Sequence, residues 1–302
     1  MYTRLLADLR SADAAGFGGK SAGLGELIAS EIPVPPGFAL SADARAEPMS
    51  GAVREALVAA YEALGDDPPV AVRSSAVGED SAAATFAGQH ETYLWVRGAD
   101  AVCEAVKNCW ASLHGERATS YRERLGPAGE APAMGVAVQL MVDAAVSGVM
   151  FTCNPVSGDP STIAVNASWG LGVAVVEGEV TPDEYRMSKV TGEVLQRTVG
   201  RKHLEYTPGP KGTVRRDVPD DRIEALCLDD AQLEALVEFG RRVERHFGAQ
   251  QDIEWAIDRE GELFLLQSRP VTTRRKKSGT SESRSAMDLV MDTFGARRRD
   301  GS

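Results

Sequence analysis

Two alternating stretches near the C-terminal end of the chain constrain its fold more than any other feature. In residues 252–258, Ile253, Trp255 and Ile257 fall on one face, with Asp252, Glu254 and Ala256 on the other. That is the period-two pattern of a half-buried strand. Residues 263–269 alternate as well, which places Leu263, Leu265, Gln267 and Arg269 on a single face. Glu260-Gly261 reads as a two-residue hairpin turn pairing Arg259 with Glu262. Counting back sets Glu254 opposite Gln267 and Asp252 opposite Arg269, and opposed side chains lie about 5 Å apart at Cβ.

A carboxylate and an amide oxygen so placed are hard oxygen donors of the kind Mg²⁺ takes when it bridges nucleotide phosphates. Arg269 beside them suits an outermost phosphate. The same register also fits an ordinary surface hairpin with polar cross-strand pairs.

The rest of the chain alternates strands with helices and predicts an α/β or α+β protein. Gly18-Gly19-Lys20 precedes a helix over residues 21–30, with Leu24, Leu27 and Ile28 on one face. Pro33, Pro35 and Pro36 end it, and residues 37–40 begin an extended run. A helix over 53–64 and a short buried strand over 70–72 follow, the strand delivering Arg73-Ser74-Ser75 at its end. Residues 74–88, small and rich in Gly and Ala, read as a mobile loop, 92–96 as a strand and 101–125 as mainly helical. Residues 126–132 form a linker, and strands follow at 136–142, 148–152 and 163–167. Asp229 caps a long amphipathic helix running through Phe247, and Gly248 ends it. From Arg274 onward the chain reads as a basic, flexible tail, or alternatively as a docking peptide for a partner chain.

Charge narrows the function. With 33 basic and 44 acidic residues the formal charge is −11, which excludes a nucleic-acid-binding body. A few local cations can still hold a small anion. No stretch approaches the roughly 18 apolar residues of a membrane span, and residues 1–10 are no signal peptide, so a cytoplasmic protein is expected. Cys103, Cys109, Cys153 and Cys227 lack metal or disulfide spacing.

Lys20, beside glycines at a helix start, can meet a phosphate, as can Arg73 at the end of its strand. Each residue also fits a plain structural role. The Lys20 segment is no P-loop, because Ala14 stands where that motif needs Gly. Gly170-Leu171-Gly172 is no dinucleotide fingerprint, because position 175 is Val. His90, His114, His203 and His246 all lie outside any Gly/Thr-rich loop that would expose a nucleophile.

The segments 18–27, 35–38, 72–76, 79–80, 86–89, 138–142, 147–152, 170–172, 180–183, 252–255 and 266–270, in that order, resemble the ATP-binding domain of the pyruvate phosphate dikinase and phosphoenolpyruvate synthase family. The likeness spans about residues 15–273. The chain is also similar to the ATP-binding domain of rifampin phosphotransferase. The resemblance implies an ATP-grasp fold whose two lobes close over the nucleotide. The first lobe would cover residues 1–131 and carry a phosphate-covering loop, the second would cover 132–273 with the Mg²⁺-binding hairpin, and the tail 274–302.

By resemblance, Lys20 and Arg73 contact ATP phosphates, and Gly88 and Thr92 belong to the covering loop. Gln139, Leu140, Met141 and Val142 border adenine. Glu254 and Gln267 hold Mg²⁺, and Arg269 the terminal phosphates. Val173 departs from the family, where Glu is common after Gly-Leu-Gly, and Glu177 is the substitute.

Relatives transfer a pyrophosphoryl group from ATP to a histidine on a swivelling domain, releasing AMP. That histidine sits in a Gly-Gly-x-Thr-x-His-type loop, which this sequence does not contain. The resemblance therefore implies a separate partner subunit carrying the phosphohistidine and binding the small-molecule acceptor, as in phenylphosphate synthase. The acceptor would be pyruvate, a phenol or another hydroxyl compound. The alternatives are a stand-alone ATP-grasp kinase or ligase and a non-catalytic nucleotide-binding scaffold.

Overall fold

The computed structural model describes residues 1–46, 48–76, 92–112, 134–210 and 212–271. It divides into two compact units, residues 1–141 with 208–213 and residues 142–207 with the remainder.

The first unit is built on a five-stranded sheet in the order β1-β2-β5-β3-β4. Its strands are β1 (Thr3–Leu5), β2 (Gly37–Leu40), β3 (Val70–Ala76), β4 (Thr92–Val96) and β5 (Met134–Leu140). Every pairing is antiparallel. β5 lies between β2 and β3, so this sheet continues past residue 131 to Leu140.

Helices cover both faces of the sheet. α3 (Gly51–Glu62) and α4 (Ala99–Ser112) lie over Phe38, Leu40, Val70, Val72, Val136 and Val138, which alternate out of three neighbouring strands. Val102, Val106 and Cys109 are the buried stripe of α4, while Leu113, expected on the same stripe, lies outside the described residues. α1 (Ala14–Phe17) and α2 (Gly19–Ala29) belong to the opposite face, where Phe17 and Leu24 pack with Leu6, Leu9 and Ala39. Ala39 points away from Phe38 and Leu40 because the side-chain period of a strand is two.

Two expectations shift here. β3 runs on through Ala76, so Arg73 lies in mid-strand and not at its end. α2 begins at Gly19, so Lys20 belongs to its first turn and not to a preceding loop. Residues 77–91 and 113–133, which include the predicted loop from residue 77 on, the whole of the linker and the C-terminal part of the predicted helix, lie outside the described residues.

The second unit holds a six-stranded sheet in the order β13-β12-β6-β7-β8-β9. Its strands are β6 (Ala144–Phe151), β7 (Thr162–Trp169), β8 (Asp183–Ser188), β9 (Val194–Thr198), β12 (Gln251–Asp258) and β13 (Leu263–Pro270), paired antiparallel throughout. β10 (Leu204–Gly209) and β11 (Gly212–Asp217) form a separate ladder. Short helices α5 (Val173–Val176) and α6 (Asp220–Ile223) precede the long α7 (Asp230–Phe247).

α7 has the ends its sequence predicts. The Asp229 side chain accepts from the Gln232 N–H, the Gln232 side chain accepts from the Asp229 N–H, and Gly248 terminates the helix at φ 66°. Gly240 of α7 faces the sheet, where a methyl would sit 3.3 Å from Ile163. α5 covers the other sheet face, with Ala174 and Val175 packed among Val149, Phe151, Ala164 and Leu204. Antiparallel sheets with helices on their faces make the chain mixed α/β, of the α+β kind.

Candidate functional site

In the first unit, Lys20 and Arg73 are brought close by one contact between their elements. Gly18, at φ 82°, lies so close to β3 that a Cβ placed on it would be 2.0 Å from the Ser75 carbonyl oxygen. Only glycine fits there. The junction is closed by the Ser21 N–H donating to Ser75 Oγ at 3.2 Å and by Lys20 Nζ donating to the Ser74 carbonyl at 3.2 Å. Arg73 is half-buried and pairs across the sheet with Thr92 on β4 and Ala137 on β5. An ammonium and a guanidinium are thus carried by two elements that touch at this junction, with Thr92 across the ladder from Arg73. Gly88 lies outside the described residues.

The expected adenine border starts at Gln139, whose side chain is buried and donates to the Pro35 carbonyl at 3.3 Å. The Leu140 and Met141 N–H groups donate to the Pro36 and Pro69 carbonyls at 2.8 and 2.9 Å. The segment is therefore held in place by prolines on both sides, and these N–H groups are engaged with protein. Val142 begins the second unit and is buried.

The hairpin of the second unit brings Glu254 opposite Gln267 and Asp252 opposite Arg269, as the register count predicts. The route to that register differs. The turn has three residues, Arg259-Glu260-Gly261, so Ile257 pairs with Leu263 and the expected Arg259–Glu262 pair does not form. Asp258 organises this turn, its Oδ1 accepting from the Glu260 and Glu262 N–H groups at 3.0 and 2.8 Å, and Gly261 takes φ 91°. A bulge between Trp255 and Glu254 then restores the count. Leu263 and Leu265 therefore share the face of Ile257 and Trp255, while Gln267 and Arg269 share that of Glu254 and Asp252. They do not form the single face expected.

Asp252 is 5 % exposed, and its Oδ2 accepts from Arg269 Nε at 2.9 Å. Burial pushes its carboxyl above the usual carboxylate range, the Arg269 charge and hydrogen bond pull it back, and Glu254 adds to the rise. Its second oxygen, Oδ1, is buried with no hydrogen-bond partner among the described residues. A buried bare carboxylate oxygen is costly unless something binds it, and it lies beside Glu254 and Gln267. The three oxygen-bearing side chains fit a hard divalent cation whose remaining positions go to phosphates and water. Among the described residues no group of three or more His, Cys, Asp and Glu side chains stands ready to hold a metal by itself. Asp252 was read from the sequence only as the partner of Arg269, since its burial depends on neighbouring strands distant in sequence.

Glu177 is exposed and follows α5, with its backbone N–H bonded to the Val173 carbonyl at 2.9 Å. The loop before that helix is fixed by Ser147 Oγ donating to the Gly170 carbonyl at 2.6 Å and by the Leu171 N–H donating to the Tyr206 carbonyl at 2.9 Å.

A feature the sequence did not disclose lies under β8. Asp183 and Lys202 form an ion pair with both side chains fully buried. Asp183 also accepts from the Gly200 and Cys227 N–H groups at 2.8 Å each, and Lys202 donates to the Gly200 carbonyl at 2.9 Å. No periodicity marks Lys202, which stands between a charged and a polar residue in the sequence.

A family model for the pyruvate phosphate dikinase AMP/ATP-binding domain matches residues 44–288. The chain belongs to that family. The ATP-grasp fold expected from the sequence goes with this membership. A probable phosphoenolpyruvate synthase of Methanothermobacter thermautotrophicus is 38 % identical over 96 % of the chain and 48 % of the relative. The phosphoenolpyruvate synthase of Pyrococcus furiosus is 40 % identical over 82 % of the chain and 32 % of the relative. The prodigiosin synthesizing transferase PigC of Serratia marcescens is 37 % identical over 86 % and 32 %. The chain spans about half the length of these relatives or less. Among solved structures, D-alanyl-alanine synthetase A of Vibrio cholerae matches at TM-score 0.40 and 14 % identity, covering 87 % of this chain and 58 % of that one. No helix among the described residues is long and apolar enough to cross a membrane.

Proposed function

We propose that this chain binds ATP with Mg²⁺ and transfers a phosphoryl or pyrophosphoryl group to a histidine on a separate partner subunit, with release of AMP. One phosphate then goes to water or inorganic phosphate, and the phosphohistidine hands the other to a small hydroxyl compound such as pyruvate or a phenol bound by the partner. ATP binding goes with the family's AMP/ATP-binding domain; the phosphotransfer, the partner, its histidine and the acceptor are the further steps of this reading.

The observation that supports it most is the Asp252–Glu254–Gln267–Arg269 face, with a carboxylate oxygen buried and bare beside two more oxygen ligands. Asp252, Glu254 and Gln267 would hold Mg²⁺, which when bound supplies charge neutralisation at the phosphates. Arg269, steadied by Asp252, sets a guanidinium where the terminal phosphates carry their charge. Lys20 and Arg73 are cations of the kind that ATP phosphates take. Such positioned charges are the main contribution a protein makes to phosphoryl transfer.

The test mixes the purified chain with ATP and Mg²⁺, with and without a protein carrying the histidine loop, and follows nucleotide products. AMP formed only when that protein is present supports the reading. ADP formed by the chain alone would favour a stand-alone ATP-grasp kinase or ligase and sink the split dikinase. ATP binding with no product under either condition would leave a non-catalytic nucleotide-binding scaffold.

A further inference from the structure

The sheet face that carries Glu254 continues across the second unit as a row. Glu254 pairs with Val149, Val149 with Asn166, Asn166 with Glu184, and Glu184 with Thr198. The next row runs from Asp252 through Phe151 and Ala164 to Arg186 and Gln196. Where β7, β8 and β9 meet, the face opens into a cavity of about 260 Å³, walled by residues 154–157 and lined by Asn166, Glu184 and Arg186. Adjacent strands lie about 5 Å apart, so this cavity stands two strands from Glu254 and is not the nucleotide hairpin.

Three polar groups line it, and one of them has no role in the fold. Asn166 is 1 % exposed, and its Nδ2 has no hydrogen-bond partner among the described residues. An amide buried without a partner loses free energy that a ligand acceptor would restore. Glu184, its cross-strand neighbour, is half-buried. Arg186, exposed at the rim two residues along the same strand and on the same face, is bonded to Gln196 Oε1 through one guanidinium nitrogen and keeps further donors for a ligand. Gln196 is in turn bonded to Thr198 Oγ1 at 3.1 Å, which ties the outer wall together.

We propose that this cavity binds a small zwitterion of the α-amino-acid class. Its ammonium meets the Glu184 carboxylate, and its carboxylate meets the Asn166 amide and the Arg186 guanidinium. A simple anion would be repelled by Glu184 and a simple amine by Arg186, whereas a zwitterion satisfies both at once. Pro155, Val156 and Ala164 leave apolar wall for a short side chain.

The test compares L-alanine with its two halves, ethylamine and propionate, by ligand-observed NMR and thermal shift on the full chain. Saturable binding of L-alanine, at least tenfold tighter than either half, supports the proposal. Glu184→Gln and Arg186→Met should each weaken it about tenfold, and Asn166→Leu should abolish it. All three variants should bind ATP as the unaltered chain does. Asn166→Leu, which removes a buried amide without a partner, should unfold no earlier than the unaltered chain. Binding of propionate alone, of ethylamine alone, or of no probe would overturn the proposal. So would L-alanine binding that both charge variants leave unchanged.

Discussion

Replacing Lys202 with Met removes one partner of a fully buried ion pair while keeping an unbranched side chain of similar length. Both side chains are 0 % exposed, so neither charge can turn to water. Asp183 would keep its two backbone N–H donors, from Gly200 and Cys227, but lose the cation paired with it. Breaking a buried pair in this way costs about 3–5 kcal/mol, because the remaining charge stays desolvated. Little packing is lost with Met, so the cavity contribution is small. Each kcal/mol moves the midpoint of a domain of this size by about 2–4 °C, so the unfolding midpoint should fall by about 6–20 °C.

The assay is thermal and urea unfolding, followed by circular dichroism at neutral pH, of the unaltered chain, Lys202→Met, Asp183→Asn and the double variant. Removing both charges restores neutrality, so the double variant should be more stable than the sum of the singles predicts, with a coupling of about 1–3 kcal/mol. A Lys202→Met cost below about 1 kcal/mol, against the 3–5 expected of a broken buried pair, or strictly additive costs, would refute the argument that burial makes this pair matter.

Gly18→Ala forces a side chain into a backbone conformation that costs about 1–3 kcal/mol and into collision with Ser75. It should lower both the thermal midpoint and ATP affinity, and an unchanged midpoint would contradict the close approach. Glu254→Gln should weaken Mg²⁺-dependent ATP binding about tenfold or more while leaving the fold intact by circular dichroism, and Arg269→Ala should lower phosphotransfer by a similar factor. Equal ATP affinity with and without Mg²⁺ in the unaltered chain would remove the metal from the reading.

Asp252 carries a pH dependence with a definite sign. Its folded carboxyl holds its proton to higher pH than an ordinary one. The native state therefore binds more protons than the unfolded chain across that window. This residue's contribution to stability is greatest below the ordinary carboxylate value of about 3.9 and diminishes as pH rises through the raised folded value. Asp252→Asn should show no such decline, and denaturation from acid to neutral pH compares the two. A contribution from Asp252 that grew with pH would contradict the effect of burial.

The hairpin shows how far sequence carries and where it stops. Alternation gave both strands and the Glu254–Gln267 and Asp252–Arg269 pairs, because period two is written directly into residue order. The turn was read one residue too short. The Asp258 side chain, by accepting from two N–H groups, makes a three-residue loop comfortable, and the bulge compensates for it. Neither is visible to a count of alternating residues. α7 was legible at both ends because Asp229, Gln232 and Gly248 act locally.

Lys20 and Arg73 were legible as residues, but the contact that joins their elements was not. It depends on Gly18 meeting Ser75 across more than fifty positions of sequence. Lys202 and Asn166 were missed for a related reason: they are polar residues whose burial is decided by strands far along the chain.

The meeting of Gly18 with Ser75 bears on how the site can be altered. The first turn of α2 and the middle of β3 touch with no space for a methyl group between them, so the lysine and the arginine they carry are geared together. A change that shifts one element must shift the other. Redesign of this junction would therefore have to treat residues 18–21 and 73–75 as one cassette, exchanged whole or left alone.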